Sequence, residues 1–342
     1  MSDHLEVVAV DGGDEVLLRG WHRAYDEGAR HGLEDVASPW SLEEVRVRLT
    51  EPAVRQSTHL WAGVAAGEVV AAAEVRLPLL DNLEHAYVDV QVRPDRRRRG
   101  YGAALLAHVE GFARSEGRST VLAESLWPIS APVDGRGEPG PEMLRRHGYS
   151  LALVDVQRDL ALPVPTATLD ALAAEAAPHH TAYTLRSFVG PVPEELVHGW
   201  AELVGSLAVE APMGELVMEA ESADVDALRA DERVIEQQAR TKYNTAAIDA
   251  QGEVVGYTDI ATSAHDPGRG YQWGTLVRRA DRGHRLGLAL KVANLRLLQE
   301  RDPGTTRLTT YNAEVNDHMI AVNQTLGFVP VARLGEFSRT LA

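Results

Sequence analysis

Apolar residues along the chain keep two different periods, and each change of period marks a new element. "HLEVVAV" alternates as a strand does, and residues 14 to 31 and 41 to 49 then carry apolar residues at helical spacing. "HLWAGVAAGEVVAAAEVRL" reads as two strands around a glycine turn, and "AYVDVQV" as a third strand running into an arginine-rich turn. The helix beyond it aligns Leu105, Val109 and Phe112, a stripe that predicts burial of one face against a sheet. "RSTVLAES" and "YSLALVDVQRDL" supply two later strands, with a loop-rich segment between them.

The second half repeats this order. "AYTLRSFV", "NTAAIDA", "EVVGYTDIAT" and "YQWGTLV" read as strands, with helices near 193 to 207 and 223 to 239. A helix aligning Leu286, Leu290 and Leu297, the strand "RLTTYN", a short helix from about 317 to 326 and a last strand complete it. Three landmarks share one spacing of 185 residues: Gly67 and Gly252, which open "GEVVA" and "GEVVG", Val92 and Val277, and Gly102 and Gly287. Two tandem copies of one fold follow. The class is α/β (α+β), each copy a mixed, mostly antiparallel sheet flanked by helices. "LALPVPTATLDALAAEAAPHH" is rich in Pro and Ala and suggests a connector with one short helix. It sets an N-terminal domain at 1–162, the connector at 163–182 and a C-terminal domain at 183–342.

In both copies a strand, a turn and a helix N-terminus follow one another, and that succession makes an anion site. Free N–H groups and the helix dipole favour phosphate there, and arginines beside the turn raise the local potential. The first turn, "RRRRGYG", holds Arg97, Arg98, Arg99, Gly100, Tyr101 and Gly102; the second, "RGHRLG", holds Arg282, Gly283, His284, Arg285, Leu286 and Gly287. Neither is a P-loop, since no Lys-Ser or Lys-Thr follows, nor a Rossmann fingerprint, since the third glycine is absent.

Composition removes several other classes. The formal charge of −16 disfavours nucleic acid as a partner. With no cysteine there is no disulfide, thiolate metal site or cysteine nucleophile, and the 13 histidines form no H-E-x-x-H pattern, so no metal is expected. Neither a signal peptide nor a run of about 18 apolar residues is present, so no membrane partner is expected and a cytoplasmic protein is.

"VRPDRRRRGYGAALL" resembles the R-x-x-G-x-G motif of the GNAT superfamily of acyl-CoA-dependent N-acyltransferases, and "VRRADRGHRLGLALK" resembles it with Arg285 at the first glycine position. "NAEVNDHMIAVNQTLGF" is similar to a second GNAT motif, matching at Asn316, Gly327 and Phe328. Together these cover nearly the whole chain and are similar to tandem GNAT proteins of the mycothiol-synthase type. The resemblance implies that the two turns bind the pyrophosphate of acetyl-CoA or another acyl-CoA, and that Asn316 contacts its pantetheine arm. It also implies that backbone N–H groups around Val90 to Val92 and Leu276 to Val277 face the thioester oxygen.

The usual side-chain catalysts are missing: Ala86 and Tyr271 stand at the glutamate position, Leu144 and Asn323 at the tyrosine position. Tyr311, Glu314 and Asp259 are the substitutes the sequence offers in the second copy, with Asp89 and Glu124 in the first. Because the second copy keeps the Asn motif, it is the one expected to be catalytic, its Arg285 donating through the backbone if φ is ordinary. Six acids from Glu210 to Asp226, with Glu202 upstream, would suit a cationic acceptor. The expected activity is acetyl transfer from acetyl-CoA to a small-molecule primary amine by a monomer or homodimer. The rival is a non-catalytic acyl-CoA binding or sensing protein.

Overall fold

The computed structural model describes residues 4–51 and 54–341. They form two compact units, one made of residues 1–155, 214–217 and 331–342, the other of 156–213 and 218–330.

The first unit runs β1 (Glu6–Val10), α1 (Glu15–Arg30), α2 (Leu42–Thr50), β2 (Gln56–Ala65), β3 (Glu68–Pro78), β4 (His85–Val92), α3 (Tyr101–Ser115), β5 (Thr120–Pro128), α4 (Pro139–Arg146) and the start of β6 (Ser150–Ala161). Caps mark the helix starts: Asp14 accepts from Leu17 N, and Ser41 with Glu44 forms a capping box. α4 forms inside the segment read as loop-rich; its prolines fall in the first turn, where a missing N–H costs no helical bond.

The second unit continues with α5 (Thr166–Ala176), β7 (Thr184–Val189), α6 (Val197–Glu210), α7 (Val225–Gln237), β8 (Arg240–Ile248), β9 (Val254–Ser263), β10 (Arg269–Val277), α8 (Leu286–Arg301), β11 (Arg307–Ala313), α9 (Asp317–Leu326) and the start of β12 (Val329–Thr340). Among the described residues no helix is long and apolar enough to cross a membrane.

Strand order is β1-β2-β3-β4-β5-β12 in the first unit and β6-β11-β10-β9-β8-β7 in the second. All the pairings that border β2, β3, β8 and β9 are antiparallel, whereas β4–β5 and β10–β11 are parallel. The mixed α/β class expected from the sequence is the one observed. The last strands are exchanged: β12, from the end of the chain, lies antiparallel to β5 over nine residue pairs, Ala332↔Pro128 to Thr340↔Thr120. β6, from the first half of the sequence, lies beside β11.

The first sheet buries both faces. Val75, Val88, Ala123 and Phe337 meet Leu105, Leu106 and Val109 of α3. On the other face, Leu60, Ala62 and Ala72 meet Leu18, Trp21 and Val45 of α1 and α2. The indole of Trp21 donates to Ala73 O at 3.0 Å, so this fully buried ring leaves no orphan N–H.

In the second unit α8 is buried on more than the single stripe its leucines predict, including Leu288, Ala289, Val292 and Leu295. The connector helix α5 packs its Leu169 and Leu172 into the same core, which covers a second side of α8. Gly214, in the α6–α7 loop, approaches the first unit's backbone closely: a Cβ there would lie 2.2 Å from Ala152 O, and φ is +58°.

Candidate functional site

In the first unit β4 ends at Val92 and a short 3₁₀ turn covers Pro94–Arg96. Arg97 is then extended, Arg98 takes φ +64°, and Gly100 caps α3 at φ +87° with no side chain on the helix N-terminus. The N–H groups of Tyr101, Gly102 and Ala103 in the first helical turn therefore lack intrahelical acceptors. A Cβ at Gly100 would meet nothing within 4 Å, so the front of this turn is open.

The arginines divide by task. Arg93 and Arg96 pair with Glu27, Glu68 and Asp95. Arg97 is half-buried and pins the turn, donating from Nε to Val92 O at 3.1 Å and from Nη2 to Gly28 O at 2.8 Å. Arg98 and Arg99 are exposed and have no carboxylate partner among the described residues. The Tyr101 side chain goes into the core, leaving only its N–H to the turn.

Beside the turn the sheet opens. β4 pairs with β5 from His85↔Thr120 to Val88↔Ala123 and no further, although both strands continue. Arg93 N donates to Val70 O on β3, and N–H direction alternates along a strand. The N–H groups of Val90 and Val92 thus point to the open side.

The second turn has the same backbone with glycine and arginine exchanged. Gly283 has φ +91° where Arg98 stands in the first, and Arg285 has φ +52° where Gly100 stands. The expectation of an ordinary φ at Arg285 is therefore corrected: it caps α8 in the left-handed region, a conformation costing a non-glycine residue roughly 1–2 kcal/mol.

Its cations are engaged. Arg285 pairs with Glu175, Arg279 and Arg282 both reach Glu210 at 3.2 and 2.8 Å, and His284 Nδ1 lies 3.1 Å from His179 O. Arg279 and Arg282 hold the Glu210 carboxyl below its ordinary range. Leu286 is buried, and a Cβ at Gly287 would meet nothing within 4 Å. Arg282 Nε donates to Val277 O, which places Val277 on the open side of β10, whereas Leu276 pairs with Tyr257 of β9. By the same alternation the other open-side donor is Thr275, which sequence reasoning passed over because a bulge shifts the register between Gln272 and Thr275.

That bulge determines the surroundings of Asp259. Its Oδ1 accepts from Gly274 N at 2.6 Å and its Oδ2 from Lys242, while Gln272 Nε2 donates to the carbonyls of Asp259 and Gly274 at 2.7 and 3.0 Å. Tyr311 is the first residue of β11 beyond the last pair with β10, Gln272↔Thr310, and Glu314 lies in the turn that follows; both are half-buried. Asn316 caps α9, its Oδ1 accepting from Met319 N at 3.2 Å. Nearby Lys291 is fully buried, donates to Asn323 Oδ1 at 2.9 Å and is pushed down to about 7 by burial. Asn323 and Arg158 both donate to Asn312 Oδ1, at 3.1 and 2.8 Å, closing a buried polar chain. No group of three or more acids or histidines suited to a metal occurs among the described residues.

A further cluster in the first unit was only partly foreseen. Register places Glu74 opposite Asp89, and Glu336 opposite Glu124. Val88 pairs with Ala123, so continuing that register puts Asp89 and Glu124 side by side. Four acids thus form a row across β3, β4, β5 and β12 on the face covered by α1 and α2. Burial, reinforced by Glu74 and Glu124, pushes Asp89 up to about 6; burial, with Glu124 and Asp155, pushes Glu336 up to about 8.

With this geometry in place the comparisons can be stated. A model of the acetyltransferase (GNAT) family matches residues 20–125. Among solved structures, a tandem GNAT protein from the clavulanic acid biosynthesis pathway, solved without acetyl-CoA, is 27% identical at a TM-score of 0.78, with 98% of each chain covered. A GCN5-related N-acetyltransferase from Sphaerobacter thermophilus shares the fold at 18% identity and a TM-score of 0.66, over 98% of this chain and 95% of that one. The N-myristoyltransferase of Saccharomyces cerevisiae, whose structure holds myristoyl-CoA, shares it at 11% identity and 0.59, over 98% and 79%. No curated protein sequence matches.

The class of protein is an acyltransferase. More narrowly, the chain carries a GNAT acetyltransferase domain at residues 20–125 and has the architecture of tandem, two-domain GNAT proteins.

Proposed function

We propose that this protein transfers an acetyl group from acetyl-CoA to a small-molecule primary amine, and that the first unit, rather than the second, holds the acyl donor. The observation that carries this reading is the turn Arg97–Gly102, where unpaired helical N–H groups, an open front at Gly100 and two unpaired arginines converge. A pyrophosphate fits that combination: backbone donors and the helix dipole hold its oxygens, and Arg98 and Arg99 neutralise its charge. Since the N–H groups of Val90 and Val92 point into the opening beside β4, they are placed to stabilise charge on the thioester oxygen.

In the reaction the neutral amine nitrogen forms a bond to the thioester carbon and the carbon–sulfur bond breaks. The amine proton is given up and the departing thiolate takes one, yielding the amide and free CoA. A thiol with a pKa near about 8.5 leaves readily, so no strong acid is required. An alkyl ammonium, with a pKa near about 10, must first lose its proton, and Asp89, pushed up to about 6, is the carboxylate at the opening suited to accept it.

For the second unit the pairing of Arg279, Arg282 and Arg285 with Glu210 and Glu175 favours the other reading, a GNAT fold with a degenerate site. Calorimetric titration of acetyl-CoA into the wild type, Gly102→Trp and Gly287→Trp tests the assignment. One site that Gly102→Trp removes and Gly287→Trp spares is the expected result. The opposite pattern would move the donor site to the second unit.

A further inference from the structure

We propose that the first unit accepts an amine carrying a second positive charge, read by Asp89, Glu124 and Glu336, the last delivered by the chain's C-terminal strand. The inference rests on the acyl-transfer site assigned above and names the substrate class of that site.

Of the four acids in the row, Glu74 is compensated, with Arg48 at 3.1 Å and Arg76 at 3.9 Å. The other three have no ion pair among the described residues. Asp89 has a hydrogen bond from Gln91 Nε2 at 2.7 Å, while Glu124 and Glu336 have none. Like charges directly opposite on neighbouring strands destabilise a sheet, and a half-buried carboxylate loses solvation. Elsewhere the unit pairs such groups: Glu110, for example, accepts from Arg339 at 2.8 Å and from Tyr149 at 2.9 Å.

Position separates this row from an ordinary acidic surface. β4 and β5 stop pairing at Val88↔Ala123, so Asp89 and Glu124 stand at the mouth of the opening into which the N–H groups of Val90 and Val92 point. α3, whose N-terminus carries the donor turn, covers one face of the sheet. The acids lie on the other, so donor and acceptor approach the same gap from opposite faces. A simple monoamine, neutral when it attacks, gains nothing from three carboxylates. A diamine presents one neutral nitrogen to the thioester and leaves an ammonium among them.

The groups facing Asp89 are Glu74 and Arg76 on β3, Glu124 on β5 and Tyr25 on α1; those facing Glu336 are Glu124 on β5 and Asp155 on β6. Raised carboxyl groups bind a cation only once ionised. Diamine affinity therefore rises with pH through the range in which these acids lose their protons.

The test is calorimetric titration of 1,4-diaminobutane and butylamine into the full chain with CoA present, for the wild type, Glu336→Gln, Glu336→Asp and Glu124→Gln, between pH 6 and pH 9. The wild type should bind the diamine at least about tenfold more tightly than the monoamine. Glu336→Gln and Glu124→Gln should each collapse that ratio, and Glu336→Gln should flatten the pH dependence that Glu336→Asp keeps. Equal binding of the two amines by the wild type, or an unchanged ratio in both Gln variants, overturns the proposal. The heat of CoA binding in the same experiment reports on the donor site separately, so failure of the acyl-transfer reading is told apart from failure of this one.

Discussion

The two units place charge at equivalent positions and treat it in opposite ways. At the spacing of 185 residues, Glu74 corresponds to Asp259 and the turn Arg97–Gly102 to Arg282–Gly287. In the second unit Asp259 is held by Lys242 and Gly274 N, and the turn's arginines by Glu175 and Glu210. In the first, the acids beside Glu74 and the arginines after Arg97 stay unpaired at the two ends of β4. Charges left unpaired inside a fold cost stability, so their persistence marks the surface that meets a ligand. Charges paired internally are already satisfied and need none.

The comparison breaks most visibly at Lys242. Lys242→Met leaves the Asp259 carboxylate buried with one backbone donor and no cation, and loss of one partner of a buried pair costs about 3–5 kcal/mol. The urea midpoint of the variant should fall accordingly while acetyl-CoA binding at the first turn persists. A loss under about 1 kcal/mol would show that the second unit's acid is no better satisfied than those of the first.

The acid row predicts an effect of about 1–2 kcal/mol that depends on pH. Asp89 at about 6 and Glu336 at about 8 lie above their ordinary carboxylate values, so the folded state binds more protons than the unfolded chain in the interval between. Stability then falls as pH rises from about 4, where both states are protonated, to about 8, where the fall is complete. Glu336→Gln should match the wild type at the acid end and exceed it at pH 8 to 9 by thermal denaturation. A constant difference across this range would mean that Glu336 titrates normally.

The turns themselves give a smaller, conformational contrast. Gly100→Ala meets no atom within 4 Å, so its cost, about 1 kcal/mol, comes from φ +87° alone. Arg285→Gly, at φ +52°, trades that strain against backbone entropy and should change stability by less than about 0.5 kcal/mol. Equal losses from the two variants would show that the exchange of glycine and arginine between the turns has no conformational basis.

What the sequence made legible was local. Period and spacing located the strands, both turns and the tandem order, because residues close along the chain determine them. Residue pairs formed across strands were hidden. Glu336 lies more than 200 residues from Glu124, and only the exchange of β12 into the first unit brings them opposite. The lock on Asp259 depends on a bulge that shifts register between Gln272 and Thr275, which no side-chain pattern announces. Arg285 could be placed on the motif from its spacing, but its left-handed φ follows from the turn's geometry, which tolerates a non-glycine residue there. The signal available beforehand was the exchange itself: Arg98 and Gly100 in one copy, Gly283 and Arg285 in the other.

The smallest effect on stability carries the sharpest functional question. Arg285 and Glu175 are exposed at 44% and 52% of their side chains, and Glu210 reaches Arg279 and Arg282 near the surface. Such pairs contribute about 0–1 kcal/mol each, so Glu175→Gln with Glu210→Gln should barely move the melting temperature. Both substitutions nevertheless free three arginines beside a helix N-terminus whose front, at Gly287, is open. If internal pairing is what silences the second turn, calorimetry should show acetyl-CoA stoichiometry rising from one per chain to two. If it stays at one, charge is not the determinant, and the difference between the units lies in the backbone: glycine at the helix cap of the first turn gives a phosphate a closer approach than the arginine at the cap of the second.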